Sequence, residues 1–383
     1  MIDATPCGRS EPPGEAREPC DPRTALRSIA AWSAQSELSS IPAELPAEAE
    51  LLAAIGRERL AGLALAAADA GALPLSAAGT DELRVRHEHQ LALDLQLERV
   101  LVESASILDH EGIAYRALKG PMLAHLAYPD PALRSFGDVD VLVGGPAFDA
   151  AVRALRKLGF RRHFAEPRPG FDARFAKGAC LARPDSMEVD LHRTLAPGAF
   201  GILLGRVDLF GRPARTFPLG SHSITGLDAE TAFVHACFHA ALGNHPPRLV
   251  PLRDIVQLHA AGLDTRAVVA MFTSARCESV GRRALGLVAA ELGVHLEGAI
   301  PRWAAAQRPS RFDRWALQSY AREDRSYAGQ VAASIWAMPS VRDRIAYTAA
   351  LAFPTREYAR AHDRGYTRRL ARGLRVVKDS RPR

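Results

Sequence analysis

The stretch RSFGDVDVLVGG, Arg134 to Gly145, sets two aspartates at the mouth of an apolar run. Asp138 and Asp140 lie two residues apart, and Val139, Val141, Leu142 and Val143 supply the apolar content. β-branched residues in this pattern predict a strand. Side chains at i and i+2 of a strand point the same way, with α-carbons about 6.5 Å apart. Carboxylates so placed repel each other unless a cation lies between them. A divalent ion bridges that gap, and magnesium leaves several of its positions to water or phosphate oxygens. The competing reading is a polar strand edge facing water. Asp-x-Asp alone does not separate the two.

Working outward, the segment MEVDLHRTL (187–195) predicts a second strand, with Glu188, Asp190 and His192 on one face and Met187, Val189 and Leu191 on the other. If it lies beside the first, Asp190 completes a three-carboxylate cluster; Glu188 and His192 stay open as further members. In two-metal phosphoryl chemistry one ion lowers the pKa of the attacking hydroxyl and the other neutralises the leaving pyrophosphate. Upstream, IAYRALKG (113–120) alternates as a strand and ends in Lys119-Gly120. PMLAHLAY (121–128) then reads as a short helix with Pro121 at its first position, where a missing N–H does no harm. A glycine at a strand-to-helix turn lets backbone amides approach phosphate, and the helix start favours an anion. Lys119 adds a point charge there, and Arg134 adds a guanidinium fork. Each piece is weak alone. The ordered set is the specific signal: strand, Lys-Gly, helix, then Arg-x3-Asp-x-Asp, then an acidic strand.

The remainder of the chain frames this module. Its 383 residues, net charge of +6 and 48% hydrophobic content fit a globular protein of two or three domains. No apolar run approaches the roughly 20 residues of a membrane span, and the start lacks a secretory signal pattern. Membrane insertion is therefore excluded as a reading. Cys7, Cys20, Cys180, Cys237 and Cys277 form no CxxC pair, which argues against a zinc knuckle or disulfide framework and for a reducing cytoplasm. Residues 1–24 read as a disordered leader, 25–105 as an N-terminal helical region, 106–225 as a mixed α/β catalytic core, and 226–383 as a C-terminal helical domain. The fold class expected is α+β, a mixed sheet flanked by helices. From Arg356 to the end there are ten Lys or Arg against three acids, an excess of seven that accounts for the net charge. Arg360, Arg364, Arg368 and Arg372 form one helical stripe, read first as a solvated terminal helix and second as a surface for nucleic acid, an anionic lipid head or an acidic partner.

ALKGPMLAHLAYPDPALRSFGDVDVLV, followed by a helix ending KLGF and later by EVDLHRTL, resembles the uncharacterised nucleotidyltransferase family of bacteria, within the polymerase-beta-like nucleotidyltransferase superfamily. The resemblance spans about 107–260 and is densest over 117–143. It implies that Asp138, Asp140 and Asp190 hold Mg²⁺, with two ions expected, and that Gly120 lies against the nucleotide phosphates, where the residues themselves suggest Lys119 and Arg134 as further nucleotide-binding groups. The implied reaction moves a nucleoside monophosphate from an NTP, with ATP expected, to an acceptor hydroxyl, releasing pyrophosphate. The acceptor stays open among small molecule, peptide and protein, with nucleic acid ranked below them. Superfamily members often carry Gly-Ser at the turn, whereas here Pro121 follows Gly120 and no hydroxyl is available. A non-catalytic nucleotide- or partner-binding protein of the same fold is the alternative. Two further features are ambiguous. His235 and His239 have the i, i+4 spacing of a zinc pair but lack the glutamate of HExxH, and read as packing residues. Arg248, Arg253 and Asp254 read either as groups closing over a ligand or as a structural ion pair.

Overall fold

A computed structural model describes residues 20–33, 41–42, 44–321 and 327–361. Most of the expected leader and, in the basic stripe, Arg364, Arg368 and Arg372 lie outside these residues. The chain opens with α1 (Pro22–Ala31), which starts inside the boundary drawn for the leader, followed by α2 (Glu48–Glu58), α3 (Ala61–Asp69) and the long α4 (Ala77–His110). The sequence pattern places the start of that last helix near Asp81. It begins one turn earlier because the Ser76 hydroxyl accepts the Gly79 N–H at 3.0 Å.

The sheet module then runs β1 (Tyr115–Leu118), α5 (Gly120–Ala127), β2 (Val139–Val143), α6 (Phe148–Lys157), β3 (Arg161–Arg162), α7 (Phe171–Arg174), β4 (Gly178–Ala182), β5 (Glu188–His192), α8 (Gly198–Leu204), β6 (Ala214–Leu219) and β7 (His222–Leu227). Its seven strands form one mixed sheet in the order β3-β4-β5-β2-β1-β7-β6. Helices α9 (Ala229–Ala241), α10 (Leu249–Ala260), α11 (Thr265–Ser274) and α12 (Glu278–Leu292) follow, with five more to Ala361. The expected α+β class is what the chain adopts. The β6–β7 hairpin is the element the sequence pattern does not single out. Pro218 lies within its first strand, and it is tolerated because β6 is an edge. No helix among the described residues is long and apolar enough to cross a membrane.

Strand β2 sits at the middle of the sheet with all five residues buried. Helix α4 lies against β1, β2 and β7, and one continuous apolar core runs from Ala25 to Ala333. The same helix fixes the loop that delivers the aspartates. Gln90 Nε2 donates to the Phe136 carbonyl at 2.9 Å, and the Phe136 N–H donates to Asp94 Oδ1 at 3.2 Å. Both backbone groups of Phe136 are thereby held, two residues before Asp138.

Burial pushes the Asp94 carboxyl up to about 6, against the Gln90 and Phe136 hydrogen bonds, which favour the charged form. The folded state thus binds this proton more tightly than the unfolded chain does. Stability linked to Asp94 is present at low pH and declines as pH rises from about 4 to about 6. Asp94→Asn keeps an oxygen acceptor for both donors and removes the charge. Chemical denaturation across this range is expected to show a shallower slope in the variant than in the wild type, the part that remains coming from Asp172, whose carboxyl burial also raises to about 6. Above about pH 6 the variant should be the more stable, by at most about 3 kcal/mol. A slope undiminished in the variant would show that Asp94 does not contribute to it.

Candidate active site

Strands β2 and β5 are parallel neighbours in register, with Val139 opposite Val189, Asp140 opposite Asp190 and Leu142 opposite His192. Antiparallel pairing extends the row, placing Leu118 of β1 opposite Asp140 and Cys180 of β4 opposite Asp190. Opposed residues share a face, so Asp140 and Asp190 stand side by side on strands about 4.8 Å apart. The condition posed by the sequence, that the two acidic segments be adjacent, is met by direct pairing. Asp138 precedes β2 by one residue; its carboxyl is raised first by Asp140 and then by burial, the behaviour of an acid crowded by a like charge. Glu188 is exposed, whereas His192 is buried.

Asp140 is the centre of the arrangement. Its Oδ1 accepts a hydrogen bond from His192 Nε2 at 2.8 Å and pairs with Lys119 Nζ at 2.7 Å. Burial opposes ionisation, but Lys119 and His192 outweigh it and hold the carboxyl well below the usual carboxylate range. Asp190 is raised by burial and by Asp140. Burial, then Lys177, pushes His192 down to about 4, so the imidazole is neutral and its Nε2 carries the proton given to Asp140. Burial and the neighbouring acids push the Cys180 thiol up to about 12.

Two buried polar atoms at this point have no hydrogen-bond partner, Asp140 Oδ2 and His192 Nδ1. Buried acceptors are rarely left so. One ligand atom from each of Asp140, Asp190 and His192 lies within 4.8 Å of the others, so the set could hold a metal ion. The residues therefore fit a divalent cation. An imidazole is a first-row transition-metal donor, whereas magnesium takes oxygens. For magnesium, the carboxylates are the donors and His192 is the group that orients one of them.

The Lys-Gly turn takes its strain at the lysine. The strained residue is Lys119, at φ +41°, and Gly120 opens α5 in ordinary helical geometry. A Cβ on Gly120 would lie 3.4 Å from the Asp138 carbonyl oxygen, so this glycine serves close approach of α5 to the aspartate loop.

Arg134, expected to face the nucleotide, has protein partners on its fork. Its Nε and Nη2 donate to the two Asp254 oxygens at 2.9 and 2.8 Å, and Nη1 donates to the Gly120 carbonyl at 3.3 Å. Tyr128 Oη also donates to Asp254, at 2.8 Å. With its fork occupied, Arg134 is a buried strut that ties the turn and the aspartate loop to α10. Of the two readings of Asp254, the ion pair is the one formed. Arg253 turns the other way and donates to the Ala30 and Trp32 carbonyls at the end of α1.

Some neighbours of the site carry little sequence signal. Arg59, the left-handed C-cap of α2, packs its guanidinium on Gly137, where a Cβ would collide with it, and it draws the Asp138 carboxyl down. Lys177 is lowered by burial and by Lys119, and it feels Asp140, Asp190 and Asp138. It heads a second Lys-Gly, directly before β4; that repeat was the available clue. His235 and His239 on α9 are held well below the ordinary imidazole range by burial and by Lys119, so both are neutral. Among the described residues the only metal-spaced group of three or more His, Cys, Asp or Glu is the one at Asp140, and neither of these histidines belongs to it.

No curated protein matches the chain. Residues 47–293, well over half of it, match the model of a family described as uncharacterised nucleotidyltransferase. That span takes in α2, the whole sheet and α9 to α12, and with them Arg59, Lys119, Arg134, the three aspartates, Lys177, His192 and Asp254. A sheet that sets Asp140 beside Asp190, next to a strained turn, is thus found in a chain that belongs to the uncharacterised nucleotidyltransferase family.

Proposed function

We propose that this protein is a Mg²⁺-dependent nucleotidyltransferase that moves a nucleoside monophosphate from an NTP, with ATP expected, to an acceptor hydroxyl. The observation that carries the reading is the pairing of Asp140 with Asp190 around a buried, unpartnered carboxylate oxygen, in a chain of this family. In the reaction the acceptor oxygen bonds to the α-phosphorus, the bridging Pα–O bond breaks, pyrophosphate leaves, and the acceptor proton passes to solvent.

Asp138, Asp140 and Asp190 would hold the magnesium, with two ions expected. Bound there, magnesium supplies Lewis acidity toward the phosphate and lowers the pKa of the acceptor hydroxyl. The chain's own groups do the rest. His192 Nε2 orients Asp140. Lys119, Lys177 and Arg59 bring positive charge toward the triphosphate, and Gly120 keeps α5 close to the aspartate loop. The acceptor is of the small-molecule, peptide or protein class. The free thiols of Cys20, Cys180, Cys237 and Cys277 accord with a reducing compartment.

One observation favours a non-catalytic binding protein instead: the Lys119 ammonium already sits on Asp140 as a counter-ion. Pyrophosphate release, screened over the four NTPs and over small-molecule, peptide, protein and RNA acceptors, separates the readings. Transfer predicts release in at least one pairing, abolished by EDTA and by the Asp138→Asn, Asp140→Asn double variant. Calorimetric Mg–NTP binding with no release under any pairing would support the binding protein. Release undiminished in the double variant would overturn the assignment of the site.

A further inference from the structure

The acidic site brings its own cation. Lys119 Nζ lies 2.7 Å from Asp140 Oδ1, and the two side chains are only 11% and 0% exposed. The same oxygen also accepts the His192 hydrogen bond, while Oδ2 accepts none. Three carboxylates, Asp138, Asp140 and Asp190, meet two lysines, Lys119 and Lys177, and the Lys119 ammonium is stabilised by all three acids.

We propose that Lys119 is a resident counter-cation that couples metal binding to nucleotide binding, an inference that rests on the reading given under Proposed function. Without metal, its ammonium supplies the positive charge that Asp140 needs. A divalent ion arriving at Asp140 meets that ammonium as a like charge, so metal alone binds against Lys119. A triphosphate brings several negative charges to the same place, and the ammonium transfers from Asp140 to phosphate. Metal and nucleotide then favour each other, and the coupling is reciprocal.

The backbone is suited to this. Lys119 is held at φ +41° between β1 and α5, and its carbonyl accepts the Leu123 N–H at 2.8 Å. Such strain in a non-glycine residue persists only where its surroundings over-determine it, and it gathers at functional sites. With the main chain fixed, a four-carbon stem can move its charge from carboxylate to phosphate by side-chain rotation alone. Lys177 adds a push, because the two ammonium groups repel each other across the site.

Mn²⁺ binding, followed by the EPR signal of the free ion, tests this in metal-free wild type, Lys119→Gln and Lys119→Gly, each with and without α,β-methylene-ATP. Glycine adopts the positive φ freely, so that variant removes the charge while relieving strain. Both variants should bind Mn²⁺ alone more tightly, on the order of tenfold. The gain in Mn²⁺ affinity that the analogue confers should shrink by a similar factor. A merely structural lysine predicts the opposite sign, weaker Mn²⁺ binding in both variants. Unchanged or weaker binding overturns the inference. Asp190→Asn separates this failure from that of the underlying reading. If that variant loses Mn²⁺ while the Lys119 variants gain none, only the counter-cation idea falls. If it binds Mn²⁺ as wild type does, both fall.

Discussion

Asp140→Asn is expected to lower nucleotide transfer by roughly a thousandfold or more, about 4 kcal/mol of transition-state stabilisation. The substitution is close to isosteric. An amide oxygen still accepts from His192 Nε2 and still offers Lys119 Nζ a partner, so the local hydrogen bonds persist. The variant also brings the cluster nearer to electrostatic balance, since Asp138 and Asp190 remain to face Lys119 and Lys177. Folding is therefore expected to survive while the central carboxylate is lost. The check is the transfer rate with whichever acceptor serves the wild type, together with the thermal melting curve. A folded variant with an undiminished rate would remove Asp140 from the chemistry. The contrast with Asp94→Asn is informative, because that aspartate holds the loop from behind and its replacement should leave the rate nearly intact.

Arg134→Met should destabilise the fold by about 3–5 kcal/mol. The two side chains of the Arg134–Asp254 pair are 5% and 1% exposed, and the contact is bidentate. Removing the guanidinium leaves a buried carboxylate with the Tyr128 hydroxyl as its one remaining hydrogen-bond donor among the described residues. Removing both charges is a milder change, because no uncompensated ion is left behind. The double variant Arg134→Met, Asp254→Leu should therefore recover much of the loss in urea unfolding. A double variant no more stable than the single one would mean that packing around Arg134, not its charge, carries the effect. Transfer should also suffer in the single variant, since the Gly120 carbonyl loses its Nη1 donor and the turn beside Asp140 is less firmly placed.

How much of this was legible depends on distance along the chain. The strand-turn-helix around Lys119-Gly120, the aspartate strand and the EVDLH strand are local patterns of period and punctuation, and they read correctly into an α+β fold. Asp140 and Asp190 were recognisable as candidates because each sits among alternating apolar neighbours. What periodicity omits is the identity of partners. Arg134 carries the same signature whether its fork meets phosphate or Asp254, 120 residues away. His192 could be placed on the acidic face, but whether it ligates or orients depends on which strand pairs beside it. Arg59 comes from the helical region before the sheet, and only the absence of a side chain at Gly137 admits its guanidinium. Lys177 was visible only as a second Lys-Gly. The β6–β7 hairpin was hidden by Pro218, which marks an edge rather than the end of the sheet.

Adjacent residues of α10 face two ways. Asp254 grips the loop that carries the aspartates, while Arg253 holds the last carbonyls of α1. The helix thus works as a crossbeam joined at one point to the chemistry and at the next to a segment more than a hundred residues upstream in sequence. Anything that pulls on α1, whether a bound protein or trimming of the chain before Trp32, would load that joint first. The consequences would surface as a misaligned cleft before the sheet itself lost any order.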